Sequence, residues 1–104
     1  MNRFFDDLGE RWVAAAGRRS ARIDAPSLDA KVALELLDLA RVAAHTQERR
    51  FAPLSCFMAG VASERLRAAK GGLDEAGTAE FILEVRQELE KEYPPPGTSG
   101  VSGN

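Results

Sequence analysis

The chain has 104 residues, with 14 Lys+Arg against 16 Asp+Glu for a net charge of −2, one Cys, one His and a hydrophobic fraction of 44%. That is material for one small core and too little for a large multi-domain enzyme, and a single Cys with a single His cannot furnish a structural zinc site or an internal disulfide. The lone Cys suits a reducing compartment, no apolar run approaches the roughly 20 residues needed to span a bilayer, and the opening Met1–Asp7 turns acidic where a signal peptide would stay apolar. A cytoplasmic protein with no membrane attachment is therefore expected.

Four segments carry helical periodicity, and none shows the sustained alternation of a strand. In the first, Phe5, Leu8, Trp12 and Ala16 recur at steps of three and four, and Asp6 and Asp7 sit where acidic groups favour the helix dipole. Gly17 is the natural stop, because glycine takes the left-handed conformation that ends helices, and a basic, turn-prone stretch follows from Arg18 to Ser27.

The second segment, about Leu28 to Thr46, has the strongest pattern. Val32, Leu36, Leu39 and Ala43 make one stripe, widened by Ala33, Leu37, Ala40 and Ala44 to more than half the circumference, as in a helix packed on several sides. Its polar arc holds Glu35, Asp38, Arg41 and His45.

Pro53 is placed to open the third helix, since proline at the first helical position loses no intrahelical hydrogen bond. Leu54, Phe57, Met58 and Val61 form its expected core face; Cys56, Gly60 and Ser63 make a small-residue face opposite, and Gly71-Gly72 breaks the helix. The fourth helix spans about Asp74 to Glu92, with Thr78, Phe81, Ile82, Val85 and Leu89 inward. Gly77 weakens its first turn by roughly 1 kcal/mol relative to Ala, which moves the expected ordered start towards Thr78. From Pro94 to Asn104 the Pro/Gly/Ser composition predicts a disordered tail.

Together these segments predict an all-α fold, a compact four-helix bundle with the second helix central and largely buried, residues 1–93 forming one domain. The expected core is Trp12, Leu36, Leu39, Phe57, Val61, Ile82, Val85 and Leu89. Charge is uneven: residues 1–70 hold 12 basic and 9 acidic side chains, net +3, and residues 71–104 hold 2 and 7, net −5.

One polar constellation stands out. Asp38, Arg41 and His45, three and four apart, stack on one helical face, with Arg49 and Arg50 a turn beyond. Such a cluster suits a phosphate or a partner's carboxylate, arginine supplying paired hydrogen bonds. The competing reading is a local ion pair plus a histidine that stabilises the end of its helix. The break forced before Pro53 also brings two helix ends together, and the second would offer backbone amides to an anion. A lone His without a second base or nucleophile nearby does not make a catalytic site, and Cys56 reads better as a packing residue than as a nucleophile. A pI of 5.4 and the absence of aromatics among Arg11, Arg18, Arg19 and Arg22 argue against nucleic acid. No catalytic residue, metal site or cofactor is expected.

The run from Leu37 to Gly60 resembles a small all-helical bacterial domain family of unknown function, found alone or as a C-terminal extension of molybdenum cofactor guanylyltransferases. The positions that carry the resemblance are Leu37-Asp38-Leu39-Ala40-Arg41, Ala44-His45, Arg49, Ala52-Pro53-Leu54, Phe57 and Gly60, with Trp12 in the first helix; it covers roughly residues 4 to 91. Two positions depart: Thr46 stands where the family commonly has glycine, and Arg50 where it commonly has proline. The resemblance implies a non-catalytic accessory or interaction module in molybdenum cofactor (molybdopterin guanine dinucleotide) biosynthesis or molybdoenzyme maturation, its partner a guanylyltransferase or a molybdoenzyme. Two alternatives stay open: a small anion- or nucleotide-binding domain using Arg41, His45 and Arg49, and a helical partner subunit unrelated to molybdenum.

Overall fold

The computed structural model describes residues 3–93. Four α-helices account for most of them: α1 (Arg3–Gly17), α2 (Ala30–Thr46), α3 (Phe51–Lys70) and α4 (Glu75–Glu92). The all-α class follows the periodicity, and no strand occurs among the described residues. The predicted tail from Pro94 onward lies outside them. The chain divides into two compact units on either side of the Ala30–Lys31 bond.

In the first unit α1 turns Gly9 inward, against the returning chain. A Cβ there would stand 2.6 Å from the Pro26 carbonyl oxygen, so the close approach requires glycine. This register leaves Trp12 56% exposed, which removes it from the core expected for it. Leu8, Val13 and Ala16, on the side of Gly9, are half-buried instead. The helix ends in a Schellman motif: the Ala21 amide donates to the Ala16 carbonyl and the Ser20 amide to that of Gly17, both at 2.9 Å. The left-handed residue of this motif is Ser20 (φ 62°), not Gly17.

In the second unit α2 supplies Leu39, Val42 and Ala43 to the core, and α4 supplies Ala79 and Ile82. α3 contributes its small-residue face: Ser63 is buried and its hydroxyl donates to the Ala59 carbonyl at 2.8 Å. The Cys56 thiol lies 3.5 Å from the Leu36 carbonyl oxygen of α2. Small side chains let α3 come this close to α2, and in consequence its large residues turn outward. Phe57 is 72% exposed, and Leu54, Met58 and Val85 are exposed as well, contrary to the core expected for them. Leu36, Val61 and Leu89 are half-buried.

The α3–α4 turn is held by polar groups. Gly71 and Gly72 both adopt positive φ, the Asp74 carboxylate accepts from the Gly77 amide at 2.8 Å, and Arg67 donates to the Thr78 hydroxyl at 3.0 Å. Gly77 thus sits inside the first turn of a helix already begun at Glu75, earlier than its low helix propensity suggested, because the Asp74 cap offsets that cost. α3 likewise begins at Phe51, with Pro53 in its first turn rather than at its first position.

Candidate interaction surface on the second helix

The inward face of α2 is fixed by Leu39, Val42 and Ala43. The opposite face therefore carries Leu34, Leu37, Arg41 and His45, with Asp38 beside them. Leu34 is 63% and Leu37 67% exposed, so two large apolar side chains stand in water next to charged ones. The sequence pattern had assigned Leu37 to a buried stripe. The core of this unit needs only about half of the circumference of α2.

The five predicted site residues take different positions. Arg41 reaches across to α4, its Nη2 lying 3.5 Å from Glu90 Oε2 and 3.7 Å from Asp38 Oδ1. Arg50 pairs with Glu48 at 2.7 Å in the connection. His45 and Arg49 are exposed and have no side-chain partner among the described residues. Asp38, Arg41 and His45 thus share a face, with Arg49 beyond its end and Arg50 turned to its own neighbour.

The end of α3 does not supply the free amides expected of it. Phe51 N–H donates to the Glu48 carbonyl at 2.9 Å, Ala52 N–H donates to that of Arg49 at 3.1 Å, and Pro53 has no amide hydrogen. An anion at this junction would rely on side chains alone. Nor does Arg50 cap the open carbonyls of α2. Instead Thr46 donates its hydroxyl to the Val42 carbonyl at 2.7 Å, and Gln47 N–H donates to that of Ala43 at 3.0 Å.

A chain of charges flanks this face, and of its members the sequence pattern marks only Asp38 and Arg41 as site candidates. Arg86 of α4 donates from Nε (3.3 Å) and Nη2 (3.2 Å) to Glu35 Oε1, and from Nη1 (3.0 Å) to Glu90 Oε1. Glu90 in turn meets Arg41, so Glu35, Arg86, Glu90, Arg41 and Asp38 form a belt between α2 and α4. Burial lowers the pKa of the Arg86 guanidinium. The Glu35 hydrogen bond and the charges of Glu90, Glu35 and Asp38 outweigh that effect, so the net shift is upward. The belt fixes Arg41 and aligns α2 on α4. Its sequence signals are the local spacings of Asp38 with Arg41 and of Arg86 with Glu90; the links between the two helices have none.

Cys56 is half-buried, and burial pushes its thiol up from its ordinary value, away from the thiolate a nucleophile needs. Among the described residues no three His, Cys, Asp or Glu side chains gather to hold a metal, and no helix is long and apolar enough to cross a membrane.

A small all-helical domain with exposed leucines beside a charged belt is the class these observations define. Residues 6–95 match the family described as Domain of unknown function (DUF6457), and the chain belongs to that family. No curated protein and no solved structure matches the chain.

Proposed function

We propose that the protein is a non-catalytic interaction module that docks on a molybdenum cofactor guanylyltransferase or on the molybdoenzyme that receives its product. The observation that carries the interaction role is the outward stripe of α2, where Leu34 and Leu37 stand exposed in line with Arg41 and His45. Apolar residues grouped with arginine on a rigid helix make an effective docking surface, the leucines contributing burial and the charges register. The choice of partner rests on the resemblance in residues 37–60.

A second reading has its own support. His45 and Arg49 have no side-chain partner of their own, which leaves them available, with Arg41, to the phosphate of a nucleotide or pterin ligand.

Titration of the full chain against a purified guanylyltransferase separates the two readings. The interaction reading expects saturable binding that Leu34→Glu/Leu37→Glu weakens at least tenfold, about 1.4 kcal/mol, while the circular dichroism spectrum is unchanged. Binding of inorganic phosphate or GMP that depends on Arg49, without binding of the enzyme, would favour the anion reading. An enzyme interaction indifferent to both leucines would refute the assignment of the α2 surface.

A further inference from the structure

The outward stripe of α2 changes character along its length. Leu34 and Leu37 project from its first half. His45 closes it about 12 Å beyond Leu37 at 1.5 Å of rise per residue, and Arg49 follows in the connection to α3. The charges around them are already engaged. Glu35 is held by Arg86, Arg41 lies between Glu90 and Asp38, and Glu48 takes Arg50. Lys31, at the other end of the helix, is not free either. Among the ionisable side chains of α2 and the connection after it, His45 and Arg49 are therefore the two left without a partner. Both can donate hydrogen bonds, and both stand at the same end of the stripe.

From this polarity we infer that the protein docking on α2 presents an apolar groove with carboxylates at one end, the groove taking Leu34 and Leu37 and the carboxylates meeting His45 and Arg49. The inference rests on the docking reading and adds to it the chemistry and the direction of the partner. A helix with projecting leucines is a convex ridge, and its complement is a groove that takes side chains at steps of three and four residues. Charge selects what stands at the end of that groove. A carboxylate gains hydrogen bonds from an imidazole and a guanidinium that no side chain of this unit engages, whereas a basic group meets donors of its own kind. A free phosphate is the poorer occupant. The Phe51 and Ala52 amides already donate to the Glu48 and Arg49 carbonyls, and Arg41 faces two carboxylates, so two exposed side chains alone are left to grip it.

Calorimetric titration of the full chain with a purified molybdenum cofactor guanylyltransferase, at about 0.1 and about 1 M sodium chloride, tests the inference. Over that range the screening length falls from about 10 to about 3 Å, which weakens contacts between exposed charges and leaves the leucine contacts in place. Binding should fall several-fold at the higher salt. His45→Gln/Arg49→Gln should weaken it at least tenfold at the lower salt and remove most of the salt dependence, with an unchanged circular dichroism spectrum because both residues are exposed. His45→Glu/Arg49→Glu should weaken it further. Inorganic phosphate titrated into the chain alone, at matched ionic strength, should leave the amide signals of His45 and Arg49 in place. Enzyme binding that needs both leucines yet ignores salt and the Gln pair would overturn the inference and leave the docking reading standing. Saturable phosphate binding at His45 and Arg49 that competes with the enzyme would overturn it in favour of an anion site. Absence of any enzyme binding would refute the docking reading, and the inference falls with it.

Discussion

Replacing Arg86 by Met keeps most of the side chain's apolar stem and removes its charge, which isolates the belt between α2 and α4. The Arg86 side chain is 13% exposed and that of Glu35 21%, with Nη2 3.2 Å from Oε1. At an effective dielectric constant near 20 the gross attraction at that distance is about 5 kcal/mol, before desolvation offsets most of it. The variant suffers a second effect: Glu35 and Glu90 lose the cation between them and are left close together. Removing one partner of a fully buried pair costs roughly 3–5 kcal/mol. Because Glu35 and Glu90 keep some contact with water, we expect about 2–3 kcal/mol. In a domain of this size that lowers Tm by on the order of 10–20 °C. Replacing Glu35 by Leu as well removes one of the stranded charges, so Arg86→Met/Glu35→Leu should recover at least 1 kcal/mol relative to the sum of the single losses. Urea titrations of the four proteins, followed by circular dichroism, give the coupling. A single variant with an unchanged midpoint, or strictly additive losses, would show that the belt is surface decoration.

Four further outcomes follow from the structure. Leu39, 5% exposed, should lose roughly 2–5 kcal/mol of stability on change to Ala, read from the denaturation midpoint. The two glycines of α1 should respond with opposite signs. Gly9→Ala should destabilise by about 1–3 kcal/mol through its clash with Pro26, and Gly17→Ala, which meets nothing within 4 Å, should stabilise by up to about 1 kcal/mol. Ser20→Gly should raise Tm slightly, since a non-glycine residue at φ 62° carries a conformational cost of about 1 kcal/mol. Cys56 should react slowly with a thiol reagent at neutral pH and rapidly once denatured. Because its folded pKa is raised, the folded form holds its proton longer, so the associated stability is complete below the unfolded-state pKa and declines as pH rises past it.

The helices were legible because their signals are local: the steps of three and four, Gly71-Gly72 and the Pro53 break can be read without knowing what packs against what. Which face of each helix turns inward was not. Periodicity marked Leu54, Phe57 and Met58 as the inner face of α3, whereas the structure buries Ser63 and draws Cys56 onto the Leu36 carbonyl. Hydrophobicity measures a residue's preference for burial, and close helix approach favours small side chains; here the second won. The Ser20 turn was missed because a left-handed serine has no compositional signature. For the site, the shared face of Asp38, Arg41 and His45 was readable from spacing. The Glu90 and Arg86 partners come from α4, 49 and 51 residues along the chain, and no local pattern announces them.

The central claim is that the outward stripe of α2 is a docking surface for an enzyme of molybdenum cofactor maturation. It is tested most directly by mapping the amide signals of the isotopically labelled chain while a purified molybdenum cofactor guanylyltransferase is added. The account predicts that Leu34, Leu37, Arg41, His45 and Arg49 shift or broaden first, at micromolar enzyme, while Leu39, Ala79 and Ile82 hold their positions. A spectrum unchanged at saturating enzyme, or perturbations that leave the α2 stripe untouched, would contradict it.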